Sequence, residues 1–356
     1  AAALANNRGY FSEAGAVDSE RVAVLEAACA ELAGSDSGPL ARLLALLASE
    51  LTYGGDLPRR LELVHRAIAI ARGVGDPTTL VGVINDAIPA IDVAETLAER
   101  VALGHEGYET ARLVEDPLQQ FWSAWNVCGP GYESGRVAEA DNALAEAEVI
   151  AERLGQPMPR MHVSFLSSTR AILAGDLDRA ERLTISAVEL GNATGQPDIG
   201  AFFASQFGTI RVNQGRSAEI VDLARQAAEE NPGLPGFATF LAGIYCDLDR
   251  GEEARGVLAP FVADEFRSVP RDVIWLVCMT NAAYAVAELD WVEAAPSLLE
   301  SLHPFASQFA FIETVIGPQI GYFVGRLQAT LGRFEEAEAS LSDAARVHES
   351  IGAAWA

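Results

Sequence analysis

The chain has 356 residues, of which 50% are hydrophobic and 21% are charged, so it can bury an extensive apolar core. Its formal net charge is −25, and no lysine occurs among its 25 basic residues. Nucleic-acid binding and docking on anionic lipid both depend on clustered cations, so this composition argues against either as a direct partner.

The N-terminal part, residues 1–38, is predicted to form lead-in helices. Residues 19–32 are amphipathic, and a stretch rich in glycine, serine and proline follows at 34–39. The remainder, 39–356, is predicted to be one continuous array of repeats. No long flexible linker divides it.

One unit recurs through this array: an apolar helix, a tight turn and a second helix that opens with acidic residues. In the last copy the turn is at Gly332, and Glu335 and Glu336 open the second helix. The residue that follows each turn recurs about every 40 residues, a length that fits two helices and two short loops. These positions are Arg60, Ala98, Ala140, Ala180, Ile220, Ala254, Ala294 and Ala337.

The repeat predicts an all-α, right-handed superhelical solenoid of about eight helical hairpins. Two first helices contain breakers: Pro89 is expected to kink or end one helix, and Pro130 to interrupt another. The segment 308–313 is unusually apolar for a loop. The predicted hairpins span residues 39–73, 77–114, 116–154, 157–193, 197–230, 235–264, 270–307 and 314–352.

The pattern resembles the tetratricopeptide repeat, which has a small residue in the first helix, then alanine and a large apolar residue in the second. Gly325, Ala337 and Leu341 fit it in the last unit. Two units depart from it, because Val93 replaces a turn glycine and Arg60 replaces the alanine.

Segments 231–235, 268–272 and 317–333 resemble a narrower group, the C-terminal helical-repeat region of large actinobacterial regulators. Those regulators carry an ATPase core joined to a LuxR-type DNA-binding domain or a class III nucleotide cyclase domain. The resemblance covers nearly the whole chain but rests on fold-level motifs. It implies a role in signal transduction or transcription regulation, with an ATPase core of the same or another chain as partner.

The four cysteines lie far apart in apolar helical contexts, which predicts buried thiols in a reducing, cytoplasmic compartment. The N-terminus shows no signal peptide and no start methionine, so we expect a domain of a longer protein. No histidines stand at metal-ligand spacing, and a chain without lysine cannot contain the usual phosphate-binding loop. We therefore predict no metal, no cofactor and no enzymatic activity.

In arrays of this kind the first helices line the concave side, so counting back from each turn predicts which side chains face a groove. The resulting set is aromatic with scattered polar groups, which suits a protein segment or an amphipathic small-molecule effector. The predicted groove residues are Trp122, Trp125, Tyr132, His162, Phe165, Phe202, Asn213, Met279, Tyr322 and Arg326.

Several of these residues carry a second interpretation. Trp122 and Trp125, three apart on one helix, fit packing between helices as well as groove lining. His162 fits either a ligand contact or a structural role. Arg326 beside Tyr322 fits either an anion site or an ion pair with an acid of a neighbouring repeat.

The sequence thus predicts a sensor module whose groove binds an effector or a protein segment and changes docking on an ATPase core. The alternative is a free-standing adaptor that recruits a peptide without a switch. A third hypothesis is an enzyme that uses His162, and it requires a carboxylate beside that histidine in a closed pocket.

Overall fold

The computed structural model describes residues 15–196 and 198–354, and within them it contains seventeen α-helices and two β-strands. The predicted lead-in therefore lies partly outside the described residues. The helices are α1 Ser19–Leu32, α2 Gly38–Glu50, α3 Leu57–Val74, α4 Pro77–Ala87, α5 Leu97–Ala111, α6 Pro117–Glu133, α7 Val137–Leu154, α8 Pro157–Leu173, α9 Leu177–Thr194, α10 Ile199–Asn213, α11 Val221–Glu230, α12 Pro235–Asp247, α13 Gly251–Ala263, α14 Trp275–Glu288, α15 Ala295–Leu302, α16 Ile320–Thr330 and α17 Phe334–Ile351.

After α1, the helices pair consecutively into eight hairpins, from α2 with α3 to α16 with α17. Helix α6 meets α7 closely, because a Cβ on Gly131 would lie 2.9 Å from that of Ala140. Successive first helices also pack on each other, as α12 does on α14 and α14 on α16. The described residues confirm the all-α helical-repeat fold and the predicted number of hairpins. None of the described helices is long and apolar enough to cross a membrane.

Most of the turns between paired helices contain a residue in the left-handed conformation, although the connection between α4 and α5 does not. Gly175, in one such turn, has a φ of 77°. In two turns aspartate takes this conformation instead, since Asp249 has a φ of 56° and Asp290 one of 45°. Aspartate tolerates positive φ better than most side chains, which is why these two hairpins close without glycine.

One predicted helix break is confirmed and the other is wrong. Helix α4 ends at Ala87, and Pro89 lies in the 3₁₀ turn that follows. Helix α6, however, continues through Pro130 to Glu133. Because proline has no N–H, the carbonyl of Asn126 loses its usual helical donor. That carbonyl lies against Gly104 of α5, where a Cβ would be only 2.7 Å from the Asn126 oxygen.

The chain forms two compact units. Unit 1 comprises Ala1–Gly131, Ala138–Gln156 and Arg271–Val273, and the remaining residues form unit 2. Hairpins four to eight, α8 to α17, belong to unit 2. The division into lead-in helices and one continuous array stays a prediction.

Within unit 1, Arg60 replaces the small residue that other hairpins have after the turn. The side chain is fully buried. Its guanidinium donates to the backbone oxygen of Ala90 at 3.0 Å and to that of Arg271 at 3.1 Å. Burial lowers the pKa of Arg60, and the carboxylate of Asp272 opposes that shift. The arginine thus satisfies backbone carbonyls at a position where alanine would only fill space.

The apolar segment near residue 310 is not a loop, and hairpin eight does not begin at 314. Strand β1, Phe309–Ile312, pairs antiparallel with β2, Val315–Gln319, and Ile312 stands opposite Val315. The two strands together, residues 309–319, form what we call the β-hairpin. Apolar residues flank the two-residue turn of Glu313 and Thr314 on both sides, and helix α16 follows the β-hairpin directly.

The C-terminal end of unit 2 returns to the first hairpin of the same unit. The backbone N–H of Ala354 donates to the oxygen of Leu173, at the end of α8, over 3.0 Å. The N–H of Gln319, at the end of β2, donates to Nε2 of His348 on α17 over 2.9 Å. Within unit 2, the residues after α17 are therefore bonded to the end of α8, and α17 itself is bonded to the end of the β-hairpin.

Candidate functional site

The structure divides the predicted groove residues into three groups and leaves two residues outside them. The groups are a tryptophan pair in unit 1 and two arrangements in unit 2. Trp122 and Trp125 lie on α6 in unit 1, half-buried, with their rings edge to face at 6.4 Å. The ring of Trp125 also stacks on that of the fully buried Phe121 at 6.0 Å. Each tryptophan therefore has a packed side and an exposed side, which agrees with both interpretations of the pair.

Two predicted residues are not grouped with the others. Met279 lies in the core of α14 with 1% of its surface exposed. Asn213 is exposed at the end of α10, and its amide donates to the backbone oxygen of Thr209 on the same helix at 2.8 Å. Neither side chain contributes to the two arrangements described next.

The first arrangement joins α8 and α10 to the turn of the β-hairpin. Thr169 Oγ1 donates to the backbone oxygen of Glu313 at 2.7 Å, and Nδ1 of His162 lies 2.8 Å from the Glu313 carboxylate. Ser205 Oγ lies 3.2 Å from Oγ1 of Thr314. One short polypeptide segment thus meets three polar side chains of two first helices. We call His162, Thr169 and Ser205 the α8–α10 receptor.

Three aromatic residues from the predicted set form ring contacts on the same helices or with the β-hairpin. The ring of Tyr132, at the end of α6, lies 5.7 Å from the ring of Phe311. Phe165 on α8 is fully buried and meets the ring of Phe202 on α10 edge to face at 5.6 Å. Sequence reasoning therefore selected residues that do come together, but the β-hairpin that covers them was missed.

A buried layer of hydrogen bonds fixes the receptor in place. The amide of Gln206 donates to the oxygen of Phe165 at 2.8 Å and to Oγ1 of Thr169 at 2.9 Å. Thr184 Oγ1 donates in turn to the side-chain oxygen Oε1 of Gln206 at 2.8 Å. Because Oγ1 of Thr169 already accepts from Gln206, its only hydrogen is directed to the Glu313 oxygen. The orientation of that hydroxyl is thereby set by α8, α9 and α10.

The His162–Glu313 pair supplies the carboxylate that the enzyme hypothesis requires beside His162, but a histidine–glutamate pair is not by itself specific for catalysis. The same pairing occurs on exposed second helices, at 2.8 Å between His65 and Glu99 and at 2.5 Å between His105 and Glu139. What distinguishes His162 is burial, since its side chain is 11% exposed against 58% for His65. The carboxylate beside it belongs to the β-hairpin that packs over it.

The second arrangement lies at the other end of unit 2, on α12, α14 and α16. Arg326 donates to the hydroxyl of Tyr322 at 3.0 Å and to the carboxylate of Glu288 at 2.7 Å. The Tyr284 hydroxyl donates to Asp247 at 2.7 Å. The guanidinium carbon of Arg326 lies 5.8 Å from the ring centres of both tyrosines, a cation–π geometry. We call these five residues the tyrosine–arginine row.

The row is half-buried or exposed. Burial, together with the carboxylate of Asp247, raises the pKa of Tyr284 well above its usual value, so the hydroxyl remains a neutral donor. Of the two interpretations of Arg326, the structure shows the ion pair with an acid of the neighbouring hairpin. Arg211 behaves in the same way, because it pairs with Glu181 at 2.6 Å.

Sequence reasoning placed Tyr322 and Arg326 in the groove but not their partner Tyr284. A usable signal existed: Tyr284 stands six residues before the turn residue Asp290 (290 − 284), and Arg326 stands six before Gly332 (332 − 326). Equivalent positions of adjacent repeats lie side by side in a stacked array.

In the described part of the chain, no group of three or more His, Cys, Asp or Glu side chains is placed to hold a metal ion. No protein-family model and no curated protein matches the sequence. Among solved structures, the chain is similar to a Rap protein complexed with competence and sporulation factor. That similarity has a TM-score of 0.46 and 13% identity, and it covers 94% of this chain and 99% of the other.

Proposed function

We propose that this chain is a non-catalytic regulatory module that binds a protein segment along the first helices of unit 2. The observation that carries the proposal is the tyrosine–arginine row. Three successive first helices present tyrosine rings, an arginine and carboxylates on half-buried side chains. Tyrosine and arginine are the residue types that contribute most to binding at protein interfaces.

The row has the chemistry to hold both the side chains and the backbone of a partner. The faces of Tyr284 and Tyr322 suit apolar or aromatic groups, and their hydroxyls suit backbone carbonyls. A carboxylate of the partner can replace Glu288 at the guanidinium of Arg326, because that ion pair is partly exposed, at 25% and 39%. A protein segment with an apolar residue beside an acidic one fits this chemistry better than a small nonpolar molecule.

Helix α16 gives this site a route to regulation. It carries Tyr322 and Arg326, and it begins immediately after the last residue of the β-hairpin. A ligand that moves α16 therefore acts on the adjacent end of the β-hairpin, residues 309 and 316–319, which we call its root. As the larger role we propose a cytoplasmic sensor that controls an ATP-dependent transcriptional or cyclase regulator by docking on its ATPase core. A free-standing adaptor would use the same row without this coupling.

The test is a selection of random peptides displayed on phage against the whole chain, followed by fluorescence anisotropy with the selected peptides. We expect Arg326→Met to weaken binding about tenfold or more, the effect of losing one charged hydrogen bond. Arg112→Met is the matched control. Arg112 also lies over a tyrosine four residues before it, Tyr108, at 5.2 Å, but on a second helix of unit 1.

Equal losses in Arg326→Met and Arg112→Met, or no loss in either, would contradict binding at the row. Hydrolysis of ATP by the isolated chain would contradict the non-catalytic role. Tyr284→Phe keeps the ring and removes only the hydroxyl bonded to Asp247. It therefore separates packing on the ring from hydrogen bonding by the hydroxyl.

A further inference from the structure

We propose that the tip of the β-hairpin, residues 311–315, is an intramolecular ligand, and that the α8–α10 receptor beneath it binds an extended protein segment when the tip leaves. This site is separate from the tyrosine–arginine row. The proposal rests on the contacts of three residues within unit 2. Glu313 meets His162 and Thr169, and Thr314 meets Ser205. Phe311 meets the ring of Tyr132, outside the receptor.

The receptor is arranged independently of the tip. Gln206 binds the oxygen of Phe165 and the hydroxyl of Thr169, and Thr184 binds Gln206. All of these bonds are among α8, α9 and α10, and none involves the β-hairpin. Removal of the tip would therefore leave the hydroxyl of Thr169 in place and facing the space vacated. Preorganised groups of this kind reduce the cost of binding a new ligand.

The contacts define the chemistry of the ligand. The Thr169 hydroxyl takes a backbone carbonyl, which any extended segment offers. His162 takes a carboxylate, and Ser205 takes the hydroxyl of the next residue. The ring of Tyr132 takes an aromatic side chain two residues before the acid. The expected ligand is therefore an extended segment of the form aromatic, any residue, glutamate, threonine or serine.

The tip and the root of the β-hairpin are held by different forces. At the root, Phe309 is 1% exposed and Ile316 is 3% exposed, and the N–H of Gln319 is bonded to His348. At the tip, Phe311 and Glu313 are half-buried and Thr314 is 3% exposed, and the contacts of Glu313 and Thr314 with the receptor are polar. Each such contact contributes little net stability, and strands of four and five residues are marginal by themselves. The tip can thus open while the root stays packed.

The experiment uses the full chain and a fluorescein-labelled synthetic peptide with the sequence of residues 308–317. The double variant Glu313→Ala, Thr314→Ala removes the side-chain contacts of the tip. We expect it to bind the peptide at least about tenfold more tightly than the unchanged chain, which corresponds to two weak polar contacts. Adding His162→Ala should abolish that gain, and so should a peptide in which alanine replaces the glutamate.

If the double variant is folded by circular dichroism and gains no affinity, or if its gain survives His162→Ala, the proposal is wrong. If the double variant does not fold, hydrogen exchange of the unchanged chain, measured with and without excess peptide, tests the proposal instead. Excess peptide should speed exchange at residues 311–315 and leave the root unchanged, and no change at the tip would refute the proposal. Arg326→Met, which tests the tyrosine–arginine row, should not alter binding of this peptide, so the two proposals can fail separately.

Discussion

Unit 2 has two sets of first-helix side chains, which we call its covered face and its open face, that differ in their exposure to solvent. On α8 and α10 the receptor is covered, and Thr169 is 1% exposed. On α14 and α16 the tyrosine–arginine row is uncovered, and the side chain of Arg326 is 25% exposed. The difference comes from one insertion, the β-hairpin between α15 and α16. A repeat pattern therefore predicts which positions face the same side, but not which of them remain accessible.

Among the substitutions that test this comparison, Phe165→Ala, on the covered face, is expected to lower the free energy of unfolding most. Phe165 is fully buried in a core cluster with Met161, Ala187 and Phe202, so truncation leaves a cavity between α8, α9 and α10. We expect the free energy of unfolding to fall by about 3–5 kcal/mol, measured by urea denaturation with circular dichroism. Tyr322→Ala on the open face should lower it by less than half as much. Equal losses would show that the two faces are packed alike.

A smaller loss of stability is expected from Thr169→Val, which keeps the shape of the side chain but removes the donor to Glu313 and one acceptor of the Gln206 amide. The carbonyl of Glu313 then lacks that bond, at a cost of about 1–3 kcal/mol. Hydrogen exchange at residues 311–315 should become faster by about tenfold for each 1.4 kcal/mol lost.

Thr209→Val is the matched control, because the hydroxyl of Thr209 bonds only within its own helix, to the oxygen of Ser205 at 2.9 Å. It should leave exchange at the tip unchanged. If both variants speed exchange at the tip equally, the bond from Thr169 does not hold the β-hairpin.

These two faces also show what could be predicted from the sequence. The eight hairpins were predictable because turn residues recur at a nearly constant spacing. Residues such as Gly175 and Asp249 are recognisable there, because a turn after a helix needs a residue that tolerates positive φ. The β-hairpin was not predictable, because its strands are too short for a clear period of two. It left two traces in the sequence: the unusually apolar segment 308–313 and the longest gap between repeat positions, 43 residues from Ala294 to Ala337 (337 − 294).

The side-chain pairs were predictable only in part. That His162 and Phe165 belong together follows from their position on α8, but the partner of His162 lies 151 residues away. No local rule connects such residues, because the contact depends on how the unit folds back on itself. The partner of Arg326 was easier to predict, because an arginine of one repeat commonly pairs with an acid of the neighbouring repeat, here Glu288.

A pH effect is expected at the root of the β-hairpin. Burial lowers the pKa of His348 below its usual value, and its neutral Nε2 accepts the N–H of Gln319. A histidine with a lowered folded pKa binds more protons when unfolded, so its stabilising contribution is present above about pH 6.5 and is lost as pH falls through the folded pKa. The loss is at most about 1.4 kcal/mol per pH unit for one proton.

Urea denaturation at pH 7.5, 6.5 and 5.5 measures this effect. His348→Gln keeps a side-chain acceptor without a titrating ring, so it should flatten the dependence below pH 6.5. His303→Gln is the control, because His303 is exposed on the same unit. If the two variants have the same pH profile, His348 does not control the root.

The smallest effect on stability is expected at the open face. The Arg326–Glu288 pair is partly exposed, and such pairs contribute about 0–1 kcal/mol because solvent screens them. A double-mutant cycle with Arg326→Met and Glu288→Gln should therefore give a coupling energy below about 1 kcal/mol, although Arg326→Met weakens peptide binding at the row about tenfold or more. A coupling above about 2 kcal/mol would mean that the row mainly holds α14 to α16. The open face would then be a structural contact like the covered one, and ligand binding there would have to break it first.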